Sequence, residues 1–142
     1  MIQPEINKAF SQSDLANFII DNDEKGLFVS AKLNRTEFLI ALRRLDEINH
    51  IIVFQRDGKL KGVFGYFFVT EENKHLVGKQ IWRLPENLID GDILYLAFII
   101  TIEKCDVLAI KKMFEDGGYR KKIKKIRGFS HNHWYEHSVR DL

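Results

Sequence analysis

The chain has 142 residues, a formal net charge of +2 at pH 7, and 45% apolar and 30% charged residues. That length suits one domain and is too short for two well-packed cores, and eleven Phe against two Pro exclude a disordered or fibrous chain. The small net charge excludes a global drive toward nucleic acid or anionic lipid, so any such binding must be local.

In chain order, Ser13 is expected to cap a short helix running through Asp14, Leu15, Phe18 and Ile19, whose apolar positions recur at spacings of three and four. Asp21 to Gly26 ends it. Asn34 followed three residues later by Glu37 resembles a capping box, and Phe38, Ala41, Leu42 and Leu45 then share one face of a second helix, placed from Arg35 to Ile48. Next, Ile51 to Phe54 and Gly62 to Val69 flank Asp57-Gly58, a pair that tolerates positive φ and favours a tight hairpin. The second of these strands is apolar on both alternating faces, Phe64/Tyr66/Phe68 and Val63/Phe67/Val69. It is therefore expected at the centre of a sheet with helices on both sides.

Glu71 to Asp90 is polar, although Leu76, Val77, Ile81, Trp82 and Leu84 fit a short helix before Pro85. Gly91-Asp92 opens a second central strand, Ile93 to Thr101. Asp106 begins a helix through Val107, Leu108, Ile110, Met113 and Phe114, and Gly117-Gly118 closes it as a C-cap. Tyr119 to Phe129 forms the last strand, because Ile123 and Ile126 fit no regular helix face. The expectation is an α/β (α+β) fold, with one domain over residues 1–142 and a central mixed sheet flanked by helices. A single cysteine, Cys105, cannot close an internal disulfide, and Met1-Ile2-Gln3-Pro4-Glu5 has no secretory-signal pattern, so a cytoplasmic location is expected. The apolar run Ile93 to Ile102 is about half the roughly 20 residues that span a bilayer.

Five histidines are the natural candidates for acid/base work. His131, after the last strand, is the first choice, with Asp92 or Asp90 at the mouth of the buried strand to orient it. The plainer role for both aspartates is as turn residues beside Gly91. His131, His133 and His137 admit a metal site geometrically, yet no cysteine or second His-rich segment stands near them, and no metal is expected. Cys105 lies near a helix start and beside Lys104, surroundings that can activate a thiol, but it reads more simply as a small buried hydrophobe. Arg120, Lys121, Lys122, Lys124, Lys125 and Arg127 form a run without an acidic residue. Such a run suits an acidic carrier protein, a phosphate or single-stranded nucleic acid, or else an edge strand whose lysines block aggregation.

The element order is that of the GNAT acyltransferase fold. Val53 to Tyr66 (VFQRDGKLKGVFGY), Gly91-Asp92 leading into Leu94 to Ile100, Met113-Phe114, Lys125-Ile126-Arg127 and Ser130-His131 resemble, over roughly residues 45 to 131, the toxin-activating lysine acyltransferases. The resemblance implies transfer of an acyl group from acyl-CoA or an acylated carrier protein to a protein lysine or another amine. It places the donor along Ile99, Ile100, Thr101 and Lys104, with Lys121, Lys122, Lys124, Lys125 and Arg127 receiving the carrier. The sequence departs from that family in two places. No histidine precedes His50, and Ala97 stands where the family has its strand aspartate. GNAT enzymes also bind a diphosphate with a glycine-rich loop before the next helix, whereas Ile102-Glu103-Lys104-Cys105-Asp106 has no glycine and two carboxylates. A catalytically degenerate domain that binds a protein partner is the alternative, and a nucleic-acid-binding module is the third.

Overall fold

The computed structural model describes residues 1–23, 35–73, 84–116, 123–130 and 133–138. Its elements are β1 (Pro4–Ile6), α1 (Gln12–Asn22), α2 (Arg35–Glu47), β2 (Ile51–Arg56), β3 (Lys59–Val69), β4 (Ile93–Thr101), α3 (Val107–Asp116), β5 (Lys125–Ser130) and β6 (His133–Ser138). The strands form one sheet in the order β1-β2-β3-β4-β5-β6. All neighbours are antiparallel except β4 and β5, which run parallel with α3 as the crossover between them. The fold is α+β, a mixed sheet with helices on both faces.

The two-sided apolar pattern of β3 and β4 has the consequence read from the sequence. On one face Leu15 and Ile19 of α1 and Phe38, Leu42 and Leu45 of α2 pack over Val53, Val63, Phe67 and Tyr95. On the other, Ile110 and Phe114 of α3 pack over Ile52, Phe64, Tyr66 and Leu94. Asp57 and Gly58 make the predicted turn with φ of 54° and 75°, both in the left-handed region that a two-residue hairpin demands.

The β3/β4 ladder contains a bulge. Tyr66 pairs with Leu96 and Gly65 with Phe98, so Ala97 is the unpaired extra residue. The insertion reverses the alternation of β4. Ile93 and Tyr95 face α1 and α2 before it, and Phe98 and Ile100 face the same side after it.

Several expectations need correction. The cap of α1 is Ser11, not Ser13; its hydroxyl accepts from the Asp14 N–H at 3.1 Å while Asp14 reaches back to the Ser11 N–H. Strand β1 was not expected, because three residues are too few for alternation to show. Nor was β6 expected, and it covers β5, so the basic segment is not a sheet edge. The last predicted strand begins later, at Lys125, and ends at Ser130. The Asn34 cap, the Gly117-Gly118 cap, Lys121, Lys122, His131 and all but Leu84 of the apolar positions expected to line a helix before Pro85 lie outside the described residues, and Leu84 is not helical. Among the described residues no helix is long and apolar enough to cross a membrane.

Candidate functional site at the fork between β4 and β5

Strands β4 and β5 pair from Ile93↔Lys125 to Leu96↔Gly128 and no further. Both strands continue beyond that point. β4 stays paired with β3 as far as Thr101↔Gly62, and β5 stays paired with β6 as far as Ser130↔His133. The ladder therefore opens into a fork immediately after Leu96, at the residue where Ala97 bulges. A bulge increases local twist and bends the strand that carries it, which is the physical reason the two strands part here.

Beyond the fork, the β5-facing edge of β4 has no ladder partner among the described residues. The Ile102 N–H donates to the Lys61 carbonyl at 3.0 Å, on the β3 side. Backbone groups alternate along a strand, so those of Ile100 share that direction and those of Ile99 and Thr101 point toward the open edge. Ile99 is 45% exposed although it lies in a central strand. Of the donor-binding residues expected from the sequence, Ile99 and Thr101 thus offer backbone to the fork, and Ile100 is engaged with β3 and the core. In open sheets with parallel strands, ligands sit beyond the carboxyl ends of those strands, and the fork is at that end.

The turn that follows β4 is held by the protein's own groups. Asp106 Oδ1 accepts from the Ala109 N–H at 3.1 Å, the Asp106 N–H donates to the Ile2 carbonyl at 3.2 Å, and the Ile2 N–H donates to the Lys104 carbonyl at 3.1 Å. Ile2 is 3% exposed and forms a bridge with Cys105. Cys105 is partly buried at the margin of the α3-side core. Glu103 is gripped by the hairpin, with Arg56 at 3.2 Å and Lys61 at 3.6 Å. Lys104 is exposed.

Asp92 stands at the other end of β4. From Asp92 to Thr101 is about 30 Å of strand at roughly 3.3 Å per residue, so these two expected site residues do not share one site. Asp92 instead joins β4 to β5. Its carbonyl accepts from the Lys124 N–H, and its carboxylate lies 3.3 Å from Lys124 Nζ. Asp90 closes a side-chain turn with Asn87, as its plainer reading had it.

The described members of the basic run are ion-paired. Lys125 reaches Glu71 at 3.2 Å and Glu136 at 3.6 Å, and Arg127 reaches Glu136 at 3.6 Å. With Lys124 on Asp92, this stretch is neutralised by carboxylates from three other segments, an arrangement unlike a phosphate-binding strip.

His50 is not among the site residues expected from the sequence. It is 5% exposed, its ring is stacked on Tyr66, and its Nδ1 has no hydrogen-bond partner among the described residues. Burial pushes its pKa down to about 4, and a hydrogen bond with the Tyr66 backbone offsets only part of that. The available sequence signal was an imidazole directly before a wholly apolar strand. A groove of about 400 Å³ lies elsewhere, between the end of α2 and residues 86–89, and Arg44 at its rim donates to the carbonyls of Leu84, Pro85 and Glu86.

No family model and no curated protein matches the chain. Among solved structures, one described as "The crystal structure of acetyltransferase" aligns at 12% identity over 87% of this chain and 79% of that one, with a TM-score of 0.40, a likeness too distant to assign fold or activity.

Proposed function

We propose that this is a GNAT-like acyltransferase domain that binds an acyl thioester at the fork and transfers its acyl group to an amine. The observation that carries the reading is the end of the β4/β5 ladder at Leu96↔Gly128 while β4 continues to Thr101. A pantetheine arm is extended and carries amides, so it can pair with the backbone of Ile99 and Thr101 as an added strand would. The fork would hold the thioester near Ala97, with the acceptor amine entering from the same opening. An acylated carrier protein as donor and a protein lysine as acceptor are the partners that the family resemblance implies. β4 brings no carboxylate or imidazole of its own, so the base must come from another segment, and His131, shortly after β5, is the candidate.

The test is the melting temperature of the purified chain with acetyl-CoA, longer acyl-CoAs, acyl-pantetheine and acylated carrier protein, combined with a labelled-acyl transfer assay. A ligand that binds only the folded state at about 100 times its Kd stabilises by roughly 2.7 kcal/mol. A shift with an acylated donor, together with label transfer that is lost in His131→Ala, supports the reading. A cooperative melt that no donor moves would sink it.

The second reading is a domain of the same fold that binds a partner without turnover. It is favoured by the placement of Asp92, which is tied to Lys124 about 30 Å along the strand from Thr101. Donor binding without label transfer selects it.

A further inference from the structure

We infer that the N-terminal end of α3 carries its own resident anion, the Asp106 carboxylate, and that this chain therefore does not bind the nucleotide diphosphate of coenzyme A there. The inference rests on the proposed fold family, which places a diphosphate in the turn between β4 and the following helix. It concerns only the nucleotide end of the donor and leaves the fork free.

A helix start attracts anions because its first N–H groups lack partners and its dipole is positive there. A diphosphate needs those groups vacant and a backbone it can approach closely. At α3 one of those first groups is already taken, and the second condition fails. The Ala109 N–H is already donated to Asp106 Oδ1, and the Asp106 N–H is donated to the Ile2 carbonyl. The Ile110 N–H is used within the helix, on the Asp106 carbonyl. The second carboxylate oxygen, Oδ2, accepts from Gln3 Nε2 at 3.4 Å, so both oxygens of Asp106 are in use.

The surrounding charge points the same way. Glu103 adds a second carboxylate to the turn against one exposed cation, Lys104, and two cations of the hairpin, Arg56 and Lys61, are both on Glu103. Every residue from Ile102 to Asp106 has a Cβ, so the turn offers no close backbone cradle. Ile2, buried against Cys105, fills the space beside the turn. A multiply charged phosphate arriving here would displace a capping carboxylate and face another.

The experiment is an amide chemical-shift titration of the full chain with 3′-phosphoadenosine 5′-diphosphate, the nucleotide part of coenzyme A, and separately with acyl-pantetheine, which lacks it. The wild-type protein should show no saturable shift at the amides of residues 106–110 up to millimolar nucleotide. Asp106→Asn keeps a capping oxygen but removes the charge, and should bind the nucleotide at least tenfold more tightly than wild type, with shifts centred on those amides. Saturable shifts there in the wild type would overturn the inference, and so would an Asp106→Asn protein that remains folded and gains nothing. Acyl-pantetheine reports on the other question. Failure of that ligand to shift Ile99 and Thr101 would count against the fork reading and leave the α3 result standing.

Discussion

The imidazole of His50 and the phenol of Tyr66 stack with ring centroids 4.5 Å apart and 15° between their planes. Phe68 meets the same imidazole edge-on at 5.5 Å, so an ionisable group sits among aromatic rings. The contact fixes how α2 delivers the chain into the sheet, because the His50 carbonyl also accepts the Tyr66 N–H at 3.2 Å.

A pH dependence follows. In the unfolded chain His50 takes up a proton near its ordinary value of 6.5, whereas the folded protein resists until about pH 4. Between those values the unfolded state binds more protons, so the contribution of His50 is complete above pH 6.5 and is lost as the pH falls toward 4. The total is about 3 kcal/mol at 1.36 kcal/mol per unit. Urea unfolding of wild type and His50→Phe from pH 7 to 4.5 should show a steeper decline in the wild type. Parallel curves would contradict the burial of a neutral imidazole.

The capping box of α1 makes a second prediction. Ser11→Ala should cost about 1 kcal/mol, because the Asp14 N–H loses its acceptor. Ser13→Ala lies inside the helix and should stay within about 0.5 kcal/mol. Chemical denaturation of the two variants separates the observed cap from the one the sequence suggested.

Gly91 provides the third. A Cβ there would run into the Val69 backbone, including its nitrogen at 2.8 Å, and a strand backbone cannot rotate aside as a side chain can. Gly91→Ala should cost roughly 3 kcal/mol, the upper end of overpacking penalties. Gly58→Ala meets no atom within 4 Å and should lose only about 1 to 2 kcal/mol, the strain of its φ of 75°. Thermal melts of the two variants should preserve that order.

Patterns with a short repeat were legible in the sequence. The Asp57-Gly58 turn, the faces of α1 and α2, and the burial of β3 and β4 on both sides all follow from local chemistry and periodicity. What escaped was set by pairing partners far away in the chain. β1 is held by β2, β6 by β5, and the β4 bulge at Ala97 exists only relative to Gly65 and Tyr66. The fork was not legible, since nothing within ILYLAFIIT marks where its neighbour departs. Likewise, a run of lysines and arginines reads as a cationic strip until Asp92, Glu71 and Glu136 are folded against it.

On the proposed function, the edge of β4 beyond Leu96, which has no ladder partner among the described residues, receives an extended acyl-thioester arm. The most direct measurement is the site-resolved amide shift of the full chain on adding acyl-pantetheine, together with the hydrogen-exchange rates of the same amides. Saturable shifts and slowed exchange are expected at Ile99 and Thr101, with the Ile100 amide, already bonded toward β3, little changed. Saturable binding that leaves both of those amides untouched, or their full protection before any ligand is added, would contradict it.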